Sequence, residues 1–389
     1  WPDDARADDA PDVSSPDAAL SDIAPDDATA PDATVPDATV PDATVPDVTV
    51  PDVTVPDVTA PDVTADVADD APLPPMPTQR FLVGYNEAWF GGHFSTGLTR
   101  DFDLAYVQRV FDGILAAGGH IVRIFLFELM QGVTLGPSAP RTQSVSPEML
   151  ANLDAVLTAA RRRGLWVYVT ALEGNSMGAP AGPPSAYFTD LLNGRNGEGD
   201  AFNNNVLVPT LRVLDAHRDN VWGLDLLNEF EAPRSHGLWS DPVGGPRGFI
   251  QRTAAFVHAR SPWLRVTSSA GWDTGPNDIA LGLLSGLGLN FYDLHSYSDG
   301  GGYAGQTAIC NRAASEAMGV VLGEYGQLSH RVDDTLQAYV TGTYLYNAST
   351  SCFSAALAWR FDAAETWWAF VRADGSFRPA VSFVQAYGR

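Results

Sequence analysis

The sequence predicts an α/β protein, a (β/α)8 TIM barrel preceded by a disordered acidic Pro/Asp/Thr repeat linker. Three observations carry this prediction. From Phe81 onward, short apolar runs alternate with amphipathic stretches, the pattern of parallel βα units. Eight such units fit the 309 residues from Phe81 to Arg389, whereas an open doubly wound sheet more often stops earlier. Residues 1 to 75, in contrast, hold 19 Asp, one Arg and few large apolar side chains.

The linker comes first. From Pro31 to Ala65 the chain repeats PDATV three times, PDVTV twice and PDVTA twice. Each Pro fixes φ and removes a donor, and each Asp repels the next, so the segment cannot offset its ordering entropy by burial. The domain division is therefore 1–75 as linker and 76–389 as barrel. In polyproline geometry the linker would span on the order of 230 Å, enough for a tether. A pentapeptide-repeat β-helix would need an inward apolar residue in each coil, where this repeat offers Pro, Ala and Val.

In the barrel, the strands are expected at Phe81 to Asn86, His120 to Phe127, Leu165 to Ala171 and Val221 to Asn228, then at Leu264 to Ser269, Asn290 to His295, Val320 to Glu324 and Ala355 to Arg360. Between them helices are expected over 104–117, 146–163, 203–217, 249–260, 307–318, 335–346 and 379–387. The second helix has the plainest ends. Ser146 caps it, Pro147 takes the first position, Leu150, Leu153, Leu157 and Ala160 line one face, and Gly164 stops it. Asn175 to Phe202, rich in Gly, Pro and Asn, reads as a rim loop over the active face.

The whole chain carries 23 Arg, no Lys and 47 acidic residues, a net charge of -24. That balance repels phosphate backbones, so no nucleic-acid partner is expected. No apolar run is long enough to span a membrane. Cys310 and Cys352 could be bridged or free. A position near the top of the sixth unit for Cys310 and the bottom of the eighth strand for Cys352 favours free thiols, since a bridge needs Cα atoms within about 7 Å.

In a TIM barrel the chemistry sits at the C-terminal strand ends. The fourth strand ends in Asn228 and Glu229 and the seventh in Glu324. Glu229 and Glu324 stand 95 residues apart, about three βα units. Two carboxyls across one mouth are what glycoside hydrolysis requires. Arg123, in mid-strand, must find a partner, and Glu324 is the choice because nearby positive charge keeps a nucleophile ionised. Alternation sends Asp293, His295 and Tyr297 to one side of the sixth strand. Trp359, late in the eighth, offers a sugar an apolar face. Trp89, Trp239, Trp272 and Trp367 or Trp368 are candidates for outer sugar sites, and Glu128, Glu173 and Glu231 are rival carboxylates. Glu231 is expected to lie farther out on an exposed loop.

This set resembles glycoside hydrolase family 5 and its clan A relatives over about Phe81 to Arg389. The resemblance implies that Glu229 is the acid/base, Glu324 the nucleophile and Asn228 the residue holding the substrate 2-hydroxyl. It further implies that Arg123 and Tyr297 support Glu324, that His295 is the family's sixth-strand His and that Trp359 is the stacking platform. Many cellulases of the family have a His ending the third strand, where this chain reads VYVTALEGN; with DLHSYSD and GEYG, this makes it more similar to the β-mannanase-like branch. The expected activity is that of a retaining glycosidase on β-mannan or β-glucan, with no cofactor and no metal. A polysaccharide or oligosaccharide is the partner, and the protein is expected to be monomeric and secreted or tethered to a cell surface by an anchor upstream. The alternatives are a catalytically inactive, carbohydrate-binding barrel and a metal-dependent hydrolase. The seven His are scattered, with no ligand-type spacing.

Overall fold

Eight parallel strands occupy the eight apolar runs. A computed structural model of the chain describes residues 73–78, 80–91, 95–235, 245–271, 274–302, 305–329, 331–362 and 367–389. Most of the expected linker, residues 1–72, lies outside the described residues. The strands are β1 Leu82–Asn86, β2 Ile121–Phe125, β3 Trp166–Glu173 and β4 Val221–Asn228. There follow β5, in two pieces, Val266–Thr267 and Ser269–Ala270, then β6 Phe291–Tyr297, β7 Gly319–Gly326 and β8 Phe353–Ala358. Each strand pairs in parallel with its sequence neighbours, and β8 pairs with β1. The two pieces of β5 close the ring, the first on β4 and the second on β6.

Helices cover the outside: α1 Leu104–Ala116, α2 Pro147–Arg161, α3 Val208–Ala216, α4 Gly245–Arg260, α5 Gly275–Ala280, α6 Gln306–Ser315, α7 Asp334–Ser349 and α8 Val381–Tyr387. Ser146 accepts from the Met149 amide at the start of α2, as its sequence signature requires. The barrel interior is layered. Its lower half is apolar, built on Tyr168, Trp222 and Phe291, whose rings meet edge to face with centroids 5.0 to 5.9 Å apart. Above them come Arg123, Asp225, Asp293, His295 and Glu324, all buried. The plug below and the polar layer above leave the upper mouth as the place for chemistry.

Three expectations change. The 175–202 segment is more than a loop, because Ser185–Asn193 and Glu198–Phe202 are helical and bury Tyr187, Phe188, Leu191 and Leu192. A short hairpin, Val133–Leu135 with Thr142–Val145, was not expected; the buried Glu198 carboxylate fastens it, accepting from the amides of Arg141 (2.6 Å) and Thr142 (2.8 Å). Cys310 and Cys352 form a disulfide with Cα atoms 5.7 Å apart, against the expectation of free thiols. The helix α6 is only 10 residues long. Its fifth residue therefore lies within about 8 Å of the helix end, close enough to the chain entering β8. Alkylation without reductant should label neither cysteine. Reduction should remove about 3–4 kcal/mol of stability, because the bridge spans 42 residues. Two alkyl groups on the unreduced protein would show that the bridge does not form.

Candidate active site

The mouth is a cleft of about 980 Å3 between the ends of β1 to β4 and β6 to β8. At its floor Arg123 reaches four acceptors. One guanidinium nitrogen donates to Glu324 (2.5 Å) and Asn86 (3.2 Å), and the other to Asp225 (2.7 Å) and Asn228 (2.6 Å). Burial alone would lower the guanidinium's proton affinity, but Glu324 and Asp225 reverse that and hold it cationic. The expected Arg123 to Glu324 contact is thus present, and Asp225, Asn86 and Ser269 complete a network the sequence reading did not include. Ser269 donates to Asp225 (3.0 Å) and accepts from the Glu229 amide (2.9 Å).

Glu324 also accepts from the Tyr297 hydroxyl (2.6 Å). Burial pushes its carboxyl up, against His295 and Arg123, which pull it down. Glu229 follows β4 in a left-handed conformation, φ 47°, a strained setting of the kind found at functional sites. One of its oxygens accepts from Asn175 Nδ2 (2.5 Å), and the other lies 3.1 Å from His295 Nδ1. Burial works to raise Glu229, and the hydrogen bonds from His295 and Asn175 outweigh it, leaving the carboxyl below its ordinary value. Gly271 leaves room for it, since a Cβ there would stand 2.3 Å from a Glu229 oxygen and push the carboxyl aside.

His295 Nδ1 is 3.5 Å from Glu324 as well, and its Nε2 is 3.8 Å from Asp293. Burial would discharge the imidazole, yet Glu324, Asp293 and Glu229 together hold its pKa well above 6.5. Glu229, His295 and Glu324 each place one polar atom within 4.8 Å of the others, the one such cluster among the described residues that could ligate a metal. Its donors are already engaged, because Arg123 and Tyr297 hold Glu324 and Asn175 holds Glu229. What remains is two carboxyls with oxygens within 4.8 Å of each other and one imidazole between them.

All seven expected site residues meet here. Asn228, Glu229, His295, Tyr297, Glu324 and Trp359 line the cleft, and Arg123 lies beneath. Trp359 is buried edge-on between Trp89 (5.8 Å) and Phe125 (6.1 Å) and presents what remains to the cleft. Among the outer aromatics, Trp89 and Trp368 line the cleft, Trp367 lies against Trp368, and Trp239 and Trp272 lie outside the described residues. Glu231 is not solvated on an exposed loop: it turns inward and accepts from the Gly271 amide. Glu128 and Glu173 also face the cleft. Burial raises Glu128 to about 8, against the pull of the Trp89 indole N–H, and carries Glu173 well above the ordinary range.

Those raised groups set a direction for stability. A carboxyl whose pKa is higher folded than unfolded contributes fully below its unfolded value and loses that contribution as pH rises through the folded one. For Glu128 the window runs from the unfolded value, roughly 4.3, to about 8. The melting temperature should therefore fall between pH 5 and pH 9, and Glu128→Gln should flatten part of that fall. An equal fall in the variant would mean that Glu128 is ionised throughout.

No family model matches the chain, and no curated protein sequence matches it. Solved structures do resemble it. A β-1,4-D-mannanase from Cryptopygus antarcticus superposes with TM-score 0.59 at 17% identity, over 80% of this chain and 90% of that one. The β-mannanase of the blue mussel Mytilus edulis gives 0.57 at 16%, over 79% and 92%. GH5_18 from Streptomyces cattleya, a variant in complex with Manβ1-4GlcNAc, gives 0.62 at 17%, over 79% and 80%. At such identities the likeness establishes the shared barrel fold.

Proposed function

We propose that the chain is a retaining glycoside hydrolase of family 5 that cleaves β-1,4-linked glycan, with β-mannan as the favoured substrate class. The observation that carries this reading is the carboxyl pair, Glu229 and Glu324, with oxygens within 4.8 Å across one mouth. Retaining enzymes hold their carboxyl groups about 5–5.5 Å apart, whereas inverting ones leave room for a water. In the first step a Glu324 oxygen attacks the anomeric carbon while Glu229 protonates the departing oxygen. In the second, Glu229 takes a proton from water, which displaces Glu324 from the sugar.

Glu229 must carry a proton for the first step, and the free site holds it ionised. The imidazolium of His295 supplies the means, because its Nδ1 lies 3.1 Å from Glu229. Moving that proton leaves a neutral His295 and an acidic Glu229 with no change in net charge. His295 and Arg123 pull the Glu324 carboxyl down, and Arg123 and Tyr297 aim it. Asn228 donates one amide hydrogen to Glu173 (2.6 Å), which leaves its second for the sugar 2-hydroxyl. Trp359 offers the stacking face.

The cleft wall supports a neutral glycan. Among the described residues it carries four carboxyl groups and one imidazole, with no Arg, a poor setting for uronates. The mannanase neighbours favour mannan within that class. Residues 1 to 75 suit a spacer on a secreted or surface-tethered monomer. The test is digestion of mannan, glucomannan, carboxymethyl cellulose, xylan and laminarin with sizing of the products. Release of reducing ends from mannan supports the reading, and release from none of the five would favour a glycan-binding barrel without activity.

A further inference from the structure

Glu173, ending β3, holds together the two residues that flank Glu229. Its Oε1 accepts from the Asn175 amide (2.6 Å) and its Oε2 from the Asn228 side chain (2.6 Å). Asn175 in turn donates through its side chain to the outer Glu229 oxygen (2.5 Å). Among the described residues no Arg or His pairs with Glu173, and Arg123 contacts Asn228 on that side. From this geometry we propose that Glu173 is a positioning residue for the acid/base, fixing Asn175 and Asn228 and extending to higher pH the range in which Glu229 can deliver a proton. The proposal rests on Glu229 being that acid/base.

The groups facing Glu229 set the expectation. From β6 come His295 and, beyond it, Tyr297; from β7 Glu324; from β2 Arg123, reaching it through Asn228; from its own loop Glu231, turned to Gly271. The third strand contributes Glu173, one asparagine away, and Glu128 stands behind Glu173 on the cleft wall. Of these, Glu173 is joined to Glu229 through a hydrogen-bonded bridge. Burial, Glu128 and Glu229 all raise Glu173, so it ionises only as pH climbs. Its negative charge then raises the proton affinity of Glu229, so that the proton His295 supplies can still pass to Glu229 as pH climbs.

The test is the pH profile of kcat/KM for Glu173→Gln on mannan and on an activated aryl β-mannoside, whose leaving group needs no proton. We expect the alkaline limb on mannan to move down by about one pH unit, with the aryl limb unmoved. An equal loss on both substrates, or an unmoved limb on mannan, overturns the proposal. Should Glu173→Gln not fold, Asn175→Ala, at an exposed position, breaks the same bridge; it should lose at least tenfold in kcat on mannan and spare the aryl glycoside, and equal effects would again overturn it. Failure of the underlying assignment is seen separately, as mannan cleavage at the wild-type rate by Glu229→Ala.

Discussion

Glu324→Ala is expected to lose the covalent step for every glycoside, natural or activated, with kcat falling on the order of 10^5-fold, as removal of a nucleophile does elsewhere. Glu229→Ala should behave differently. Cleavage of mannan should fall roughly 10^2- to 10^4-fold, while the first step on an activated aryl glycoside is spared and glycosyl-enzyme accumulates. Azide then separates the two roles by stereochemistry. In Glu229→Ala it attacks the glycosyl-enzyme and gives the β-glycosyl azide, the outcome of two displacements. In Glu324→Ala it can only replace the missing carboxylate in a single displacement, giving the α-product. Wild-type turnover in either variant would remove that residue from the mechanism. If Glu229→Ala stayed active, Glu173 and Glu231 would be the next acids to test. Glu231 is the weaker, being held by the Gly271 amide.

How far this site was legible in the sequence follows from what each residue must do locally. The strands were legible because a parallel strand covered on both faces is a continuous apolar run; β4 was expected over the same residues it occupies, Val221–Asn228. Arg123 announced itself as a charge inside such a run, and the demand for a partner led to Glu324. Asp225 went unnoticed because register, not composition, decides whether it faces the barrel, and the shift between Val167 and Tyr168 alters β4's alternation against β3. The hairpin strands are three and four residues long, too short for a periodic signal. The Glu173 bridge was hidden for another reason: Glu173 and Asn175 sit at a strand-to-loop turn, where spacing says nothing of which oxygen meets which amide. The disulfide was misjudged because helix length, unlike helix existence, is poorly marked in sequence.

Replacing Arg123 should cost more stability than any other single change at the site. Arg123→Met keeps some of the buried stem and removes the charge, leaving the buried Asp225 and Glu324 without the guanidinium that pairs them both. Breaking such a pair typically costs about 3–5 kcal/mol, a large part of the roughly 5–15 kcal/mol that holds a domain folded. Melting should drop by about 10 °C. The deficit should also depend on pH. Burial already raises both carboxyls against the pull of Arg123, and without it their folded pKa values rise further. A group raised on folding contributes its stability below its unfolded value and loses it above. The gap between wild type and variant should therefore be small near pH 4 and widen as pH climbs towards neutrality. Arg123→Met combined with Asp225→Asn should recover part of the melting temperature, because one uncompensated carboxylate is gone. Activity should stay low in the double variant, since Glu324 still lacks the guanidinium that aims it and that, after His295, pulls its carboxyl down. A deficit that is the same at every pH, or a double variant no more stable than the single, would mean that Arg123 acts through packing rather than as the counterion of Asp225 and Glu324.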